Sequence, residues 1–435
     1  MFSANFKKYA GHFGKFYKKL PKYGLGHPTL LTFWHSGLQF SLLTVIVVQS
    51  VEHRIVVPGV VGSSPIGHPY NPPLTRVCSD LTEGEGTRSD SMNLVIGGTG
   101  FLGREIVCQL LERGQKVRTL CRRSGDIPEG AEVVLGDLAD PVSLQKACQG
   151  IETVYHTASV PGISVHWKPY YETNVLGAQN VLNTCRATGV RKLIYTSSAS
   201  VIFDGKPQPG IDETAPYPDR WLAHYPHSKA VAEKMILDAA SDSLLTCALR
   251  PHLIIGKRDR HLIPRLLARA KAGRLFRVGD GSNMIDIIFI ENAAQGHILA
   301  AEALSSPESP VNGNAYFLSQ GEPVNCWDWI NEVLTMKGLP TVKRSISLSA
   351  AWALGLTLEG WYKCFRLQGE PIMTRFLAAE LAHTHYLNIA KAKRDFGYVP
   401  LVSMSEGMKR LENLNPLRST NLTNNIAEPN GDRPH

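Results

Sequence analysis

An apolar run, Asn93–Ile96, breaks into Gly97-Gly98-Thr99-Gly100-Phe101-Leu102-Gly103 and continues as an amphipathic stretch, Phe101–Arg113. A strand followed at once by glycines at 97, 100 and 103 and then a helix has few folding options. The first glycine allows a tight turn, the second lets backbone approach a pyrophosphate, and the third lets the helix pack close to the strand. Free amides and the positive helix end then suit phosphate. Such a string is weak in isolation, but the pattern that follows gives it context.

Further apolar runs alternate with helical periodicity. "KVRTLC", "AEVVL", "TVYHTA" and "KLIYTSS" read as strands, with helices over Tyr170–Thr188 and about Tyr225 to Ala240. Strands joined by helical crossovers imply a parallel sheet, so the expected fold is α/β, doubly wound and Rossmann-like. We expect a dinucleotide-binding domain over residues 92–256. Past Gly256 the alternation loosens, and residues 257–414 should form a smaller substrate-binding part at the carboxyl edge of the sheet.

Composition narrows the function classes. The 435 residues are 43% hydrophobic and 19% charged, enough to bury a core. The net charge is +8, but residues 1–91 hold nine basic and five acidic residues and so carry +4 of it. The remaining +4, spread over the body, excludes a nucleic-acid footprint, which needs a clustered basic face. Eight scattered cysteines lack any C-x-x-C pair, as expected in a reducing compartment, and no metal-ligand spacing occurs among cysteines or histidines. The Asp395-Phe396-Gly397 triplet has no accompanying kinase elements. Residues 1–91 read as a disordered leader or a mis-assigned start, because Met92 directly precedes the first strand. Within it, 29–48 is a weak membrane-anchor candidate, interrupted by His35, Ser36, Gly37 and Gln39. Residues 415–435 read as a polar tail.

The second strand ends in Leu120-Cys121-Arg122-Arg123, with no acid to bind a ribose 2′-hydroxyl. An arginine there suits a 2′-phosphate, so Arg122 favours NADP(H), with NAD(H) as the alternative. Tyr225 and Lys229 are four apart in "YPHSKAVAE", on one helix face, with Pro226 suited to the first turn. The lysine should lower the tyrosine pKa toward the range useful for proton transfer. Ser198, at the end of "YTSS", can donate to a substrate oxygen.

With these residues in place, the chain resembles the extended short-chain dehydrogenase/reductases from about residue 93 to 412. The strings that carry the likeness are "GGTGFLG", "GDLAD", "YETNVLGAQNVL", "YTSSASVIF", "YPHSKAVAE" and "LRPHLIIG". Ile96 departs from the threonine often found before the first glycine. The resemblance implies Tyr225 as general acid/base, Lys229 as its tuner and a ribose contact, and Ser198, or in its place Ser197, orienting a carbonyl. It also implies Asn174 as catalytic support, and cofactor contacts from Gly97, Gly100, Phe101, Leu102, Gly103, Asp137, Leu138, Ala158 and Pro251. "SVIFDGKPQPGIDETAPYP", "ENAAQGHILAAEAL" and "HYLNIAKAKRDFGYVPLVSMSEGM" resemble the 3β-hydroxysteroid and sterol-4α-carboxylate 3-dehydrogenase branch.

The expected function is hydride transfer between a nicotinamide and a secondary alcohol or ketone of a hydrophobic small molecule, steroid-like or a β-hydroxy acid. A nucleotide-sugar epimerase or dehydratase is the alternative, with Arg258, Arg260, Arg265 and Arg274 available for a diphosphate. A non-catalytic nucleotide sensor would not need Ser198, Tyr225 and Lys229 together. The stretch Ser345–Phe365, too short to span a bilayer, reads either as an interfacial or substrate-covering helix or as an ordinary buried one. The expected location is therefore cytoplasmic, with peripheral membrane contact left open, and a homodimer is the assembly this reading allows.

Overall fold

Leu94, Val95 and Ile96 are all essentially buried, yet they serve two different cores. Leu94 and Ile96 point to one side of the sheet and Val95 to the other, which is why the run is apolar without alternation. A computed structural model describes residues 91–413. The leader, its 29–48 anchor candidate and the 415–435 tail lie outside the described residues.

The elements that build the cleft are β1 (Met92–Ile96), α1 (Phe101–Glu112), β2 (Lys116–Cys121), β3 (Glu132–Leu135), α2 (Pro141–Cys148) and β4 (Ile151–His156). They continue as α3 (Gly177–Thr188), β5 (Lys192–Thr196), α4 (His224–Leu237) and β6 (Leu245–Pro251). Beyond these come α5 (Leu262–Lys271), α6 (Ile290–Ala303), β7 (Asn314–Leu318), α7 (Cys326–Met336), α8 (Leu348–Cys364) and α9 (Arg375–Ala382). The seven strands form one sheet in the order β3-β2-β1-β4-β5-β6-β7. Every pairing in it is parallel. Strand order reverses between β1 and β4, so a crevice opens at their carboxyl ends, where ligands bind in such sheets.

Helices α1 and α6 pack together on one face, with Leu102, Ile106 and Ile298 in the core. Leu144 of α2, Val181 of α3 and Ala232 of α4 pack on the other. A third core, around Ile263, Trp327, Trp329 and Ala351, builds the C-terminal part. A small mixed sheet joins Val324–Asn325, Met284–Ile285, His385–Leu387 and Gln208–Ile211.

The structure departs from the sequence expectation in two places that shape the site. The expected helix from Tyr170 is a π-helical turn over Tyr171–Leu176 that becomes α-helical only at Gly177. The wide turn carries Asn174 inward, and such turns recur at functional sites. The fifth strand stops at Thr196, which frees Ser197 and Ser198 to line the strand end. Helix α8 is neither wholly buried nor wholly free. Ala351, Gly355 and Leu358 are buried, while Leu356, Trp361 and the adjoining Phe365 are exposed. No helix among the described residues is long and apolar enough to cross a membrane.

Ile194, in the middle of β5, is fully buried. Ile194→Ala is expected to lower unfolding free energy by about 2–5 kcal/mol, read from the urea midpoint at unchanged m-value.

Candidate active site

Gly97 adopts φ +94°, and a Cβ there would sit 2.9 Å from Thr157 Oγ1 and 3.0 Å from the Ala158 amide nitrogen. A Cβ on Gly103 would fall 2.3 Å from the Gly97 carbonyl oxygen, so α1 lies directly on the turn. The Gly100 amide donates to the Gly97 carbonyl at 2.8 Å and closes that turn. Gly98, unassigned from the sequence, is equally constrained, because its Cβ would lie 2.0 Å from Thr119 Oγ1.

Above this turn opens a cleft of about 1050 Å³. Gly97, Gly100, Phe101, Leu102, Gly103, Arg122, Asp137, Leu138, Ala158 and Pro251 all line it, as do Ser197, Ser198 and Tyr225. No acidic residue occupies the first turn of α1. A cradle that side chains would fill, at an uncluttered helix N-terminus, fits the pyrophosphate of a dinucleotide. Beside it a second cleft, of about 540 Å³, is lined by Thr99, Arg122, Arg123, Ser124, Gly125, Asp126 and Arg260. Asp126 turns to Arg104 at 3.3 Å and also pairs with Arg258, which reaches it from a left-handed φ of +73°.

Tyr225 stands in the first turn of α4 with its hydroxyl next to Ser198. Burial pushes its pKa up to about 12, and the Ser198 hydroxyl pulls the other way. The expected lowering by Lys229 is absent. The Lys229 ammonium instead donates to the Thr196 carbonyl oxygen and lies 4.2 Å from the centroid of the Tyr195 ring. Its own pKa falls to about 7, because burial disfavours the charged form. Ser198 Oγ lies 2.9 Å from Ser200 Oγ, whereas Ser197 Oγ is buried without a partner.

Lys229 and Asn174 stand behind the cleft wall. Asn174 Oδ1 accepts from the Val160 amide at 2.8 Å, and its Nδ2 donates to the Val160 carbonyl at 3.1 Å and to Ser228 Oγ at 2.9 Å. It therefore ties the Val160 loop to the helix of Tyr225 and acts through them.

The histidines near the site are packed and hydrogen-bonded side chains. His227 stacks on both Trp167 and Trp221, with ring centroids at 4.9 and 5.3 Å. Trp167 lies far from it in sequence, so its own helix gave no sign of that contact. His252 lines the cleft beside Pro251. Its Nδ1 lies 2.6 Å from the Asp286 carbonyl oxygen and its Nε2 3.0 Å from His385 Nδ1, and burial pushes its pKa down to about 3. Among the described residues no group of three metal-ligating side chains occurs.

Two measurements check this geometry. Gly103→Ala should cost about 1–3 kcal/mol of stability by overpacking and abolish reduced-dinucleotide binding in a fluorescence titration. Lys229 titrates at about 7 in the fold but at about 10.4 in an unfolded chain. Between those values the unfolded state binds more protons, so stability rises with pH, by at most about 1.4 kcal/mol per unit. Urea denaturation across that window should show the rise, and Lys229→Met should lack it.

Comparison with known proteins agrees with the geometry. Residues 94–349 match the 3-beta hydroxysteroid dehydrogenase/isomerase family. The chain is 45% identical over 327 residues to 2-alkyl-3-oxoalkanoate reductase of Shewanella oneidensis, covering 73% of this chain and 84% of that protein. It is 38% identical over 321 residues to sterol-4-alpha-carboxylate 3-dehydrogenase, decarboxylating, of Mus musculus, covering 73% and 88%. The crystal structure of gox2253 matches with a TM-score of 0.60 at 27% identity, over 74% of this chain and 96% of that one. MoeE5 in complex with UDP-glucose and NAD has a TM-score of 0.58 at 22% identity over 74% and 97%, a likeness of fold alone. The chain belongs to the 3-beta hydroxysteroid dehydrogenase/isomerase family and is an extended short-chain dehydrogenase/reductase, an oxidoreductase that acts on CH–OH groups with a nicotinamide dinucleotide.

Proposed function

We propose that this enzyme interconverts the 3-oxo and 3-hydroxy forms of an apolar carboxylic acid with a bulky substituent beside its carboxyl group, using NADP(H). The observation that carries the reading is that Tyr225 and Ser198 face the same cleft as the Gly97–Gly103 turn. The dinucleotide, when bound, supplies or takes the hydride. The Tyr225 hydroxyl donates the proton to the substrate oxygen in reduction and recovers it in oxidation. Ser198 donates a hydrogen bond to the same oxygen and steadies the charge that develops there. Lys229 stands one helical turn from Tyr225 on the same helix face, and in this reading it supports the tyrosine from behind the cleft wall. Asn174 fixes the Val160 loop that lines one side of the cleft.

The substrate class draws on two relatives whose names share a chemistry. A 2-alkyl-3-oxoalkanoate and a sterol-4α-carboxylate acted on at position 3 both carry an oxygen function on the carbon next to the carboxyl-bearing one. Val160, Pro161, Leu253, Ile254 and Leu262 give the cleft an apolar wall that suits the alkyl or ring portion. Exposed Leu356, Trp361 and Phe365, flanked by Lys363, suit contact with a membrane surface from which such a molecule is taken.

The arginine-lined second cleft supports NADP(H). Arg122, Arg123 and Arg260 face it, while its one carboxylate, Asp126, is already paired. The epimerase alternative loses two of its four diphosphate candidates, since Arg258 and Arg265 are engaged by Asp126 and Glu370.

Full-length protein should reduce a 2-alkyl-3-oxoalkanoate with NADPH in preference to NADH. Tyr225→Phe should lower turnover about 10²–10⁴-fold with dinucleotide binding intact, and Arg122→Asp should abolish the cofactor preference. Undiminished turnover in Tyr225→Phe would refute the mechanism. Equal use of both cofactors by the wild type would refute the 2′-phosphate site.

A further inference from the structure

Lys229 is only 2% exposed, and what faces its amine can be named. From β5 come the Tyr195 ring and the Thr196 carbonyl. His156 from β4 and His297 from α6 act on it as well, but burial holds both rings neutral, at about 3 and about 4. On its own helix stand Tyr225, uncharged at neutral pH, and Glu233. Of these groups Glu233 is the carboxylate, one helical turn past Lys229 and on the same face.

Glu233 is completely buried, and four hydrogen bonds fix it. Arg250 Nε donates to its two oxygens at 3.2 and 3.0 Å, Arg250 Nη2 donates to Oε1 at 2.6 Å, and the Tyr217 hydroxyl donates to Oε1 at 2.6 Å. The Arg250 side chain is 4% exposed, with the Tyr217 and Phe317 rings 5.7 and 5.4 Å from its guanidinium carbon. A guanidinium fork on both oxygens is the arrangement of a carboxylate anion. Arg250 is followed directly by Pro251 and His252 of the cleft wall, so the pair also ties α4 to the wall at the end of β6.

Buried ion pairs are poor sources of stability, and apolar side chains of similar volume often replace them at no cost. A pair whose carboxylate lies one turn from a buried amine has a second use. We propose that Glu233, clamped by Arg250 and Tyr217, is a positioning residue that keeps Lys229 cationic beside Tyr225. Burial alone drives the Lys229 ammonium toward its neutral form, and Glu233 opposes it. The proposal rests on the reading that Tyr225 moves the proton with Lys229 supporting it.

The test follows kcat for NADPH-dependent reduction of a 2-alkyl-3-oxoalkanoate against pH, in full-length wild type and variants. Removing the Glu233 charge disfavours the ammonium. In E233Q the limb on which activity falls with rising pH should therefore move down by about one pH unit. E233Q/R250Q removes both buried charges at similar volume and should move the limb the same way, which carries the test if E233Q alone does not fold. E233D should return the limb to its wild-type position, and R250Q, which leaves the carboxylate, should not lower it. A pair that only staples the fold would depress the rate evenly at every pH. An unmoved limb in E233Q/R250Q, or an R250Q shift as large and as downward as that of E233Q, overturns the proposal. Tyr225→Phe run in parallel separates the two failures, since residual full turnover there defeats the underlying mechanism and not the role of Glu233.

Discussion

The cleft depends on a contact that leaves no room for a side chain, the approach of Gly103 at the start of α1 to the carbonyl of Gly97. That approach lets the first helix leave the first strand at the point where the sheet reverses its order. Much of what lines the cavity is then a strand end or the loop after one, with the first turns of α1 and α4 beside them. Thr157 and Ala158 follow β4, Ser197 and Ser198 follow β5, and Pro251 and His252 close β6. A methyl group at position 103 would push against backbone, which cannot yield as a flexible side chain can.

The fold treats its buried charges in two ways. Glu233 is held by four hydrogen bonds from Arg250 and Tyr217, whereas Lys229 sits with a carbonyl oxygen and an aromatic face and titrates near neutrality. Perturbed groups of this kind cluster at functional sites, although structural networks shift titration too. Tyr225 behaves alike, since burial raises its pKa to about 12 and only the Ser198 hydroxyl pulls the other way.

How much of this was legible in the sequence follows from how local each signal is. The glycine turn, the parallel sheet and the Tyr225–Lys229 pair are short-range patterns, and each was readable from a few adjacent residues. The π-helical turn at Tyr171–Leu176 was not, because it depends on Asn174 finding Val160 and Ser228, the latter 54 residues away. The Trp167–His227 stack and the arrival of Arg260 beside Arg122 and Arg123 in the second cleft likewise join segments that only the fold brings together. The pKa of Tyr225 was misjudged for a related reason. Spacing places Lys229 on the right helix face, but which acceptor its amine chooses is decided by the end of β5.

The last strand of the sheet, β7, comes from residues 314–318 and pairs along β6, every residue of which is buried. The sheet that carries the glycine turn is thus finished by chain from well beyond residue 256. A chimera that joined the first 256 residues to the tail of a more distant relative would have to rebuild that seam, with Ala315 on Ala248 and Phe317 on Arg250, before it could inherit a new specificity. Substrate preference in this architecture is therefore better altered by exchanging residues of the apolar wall than by swapping whole halves.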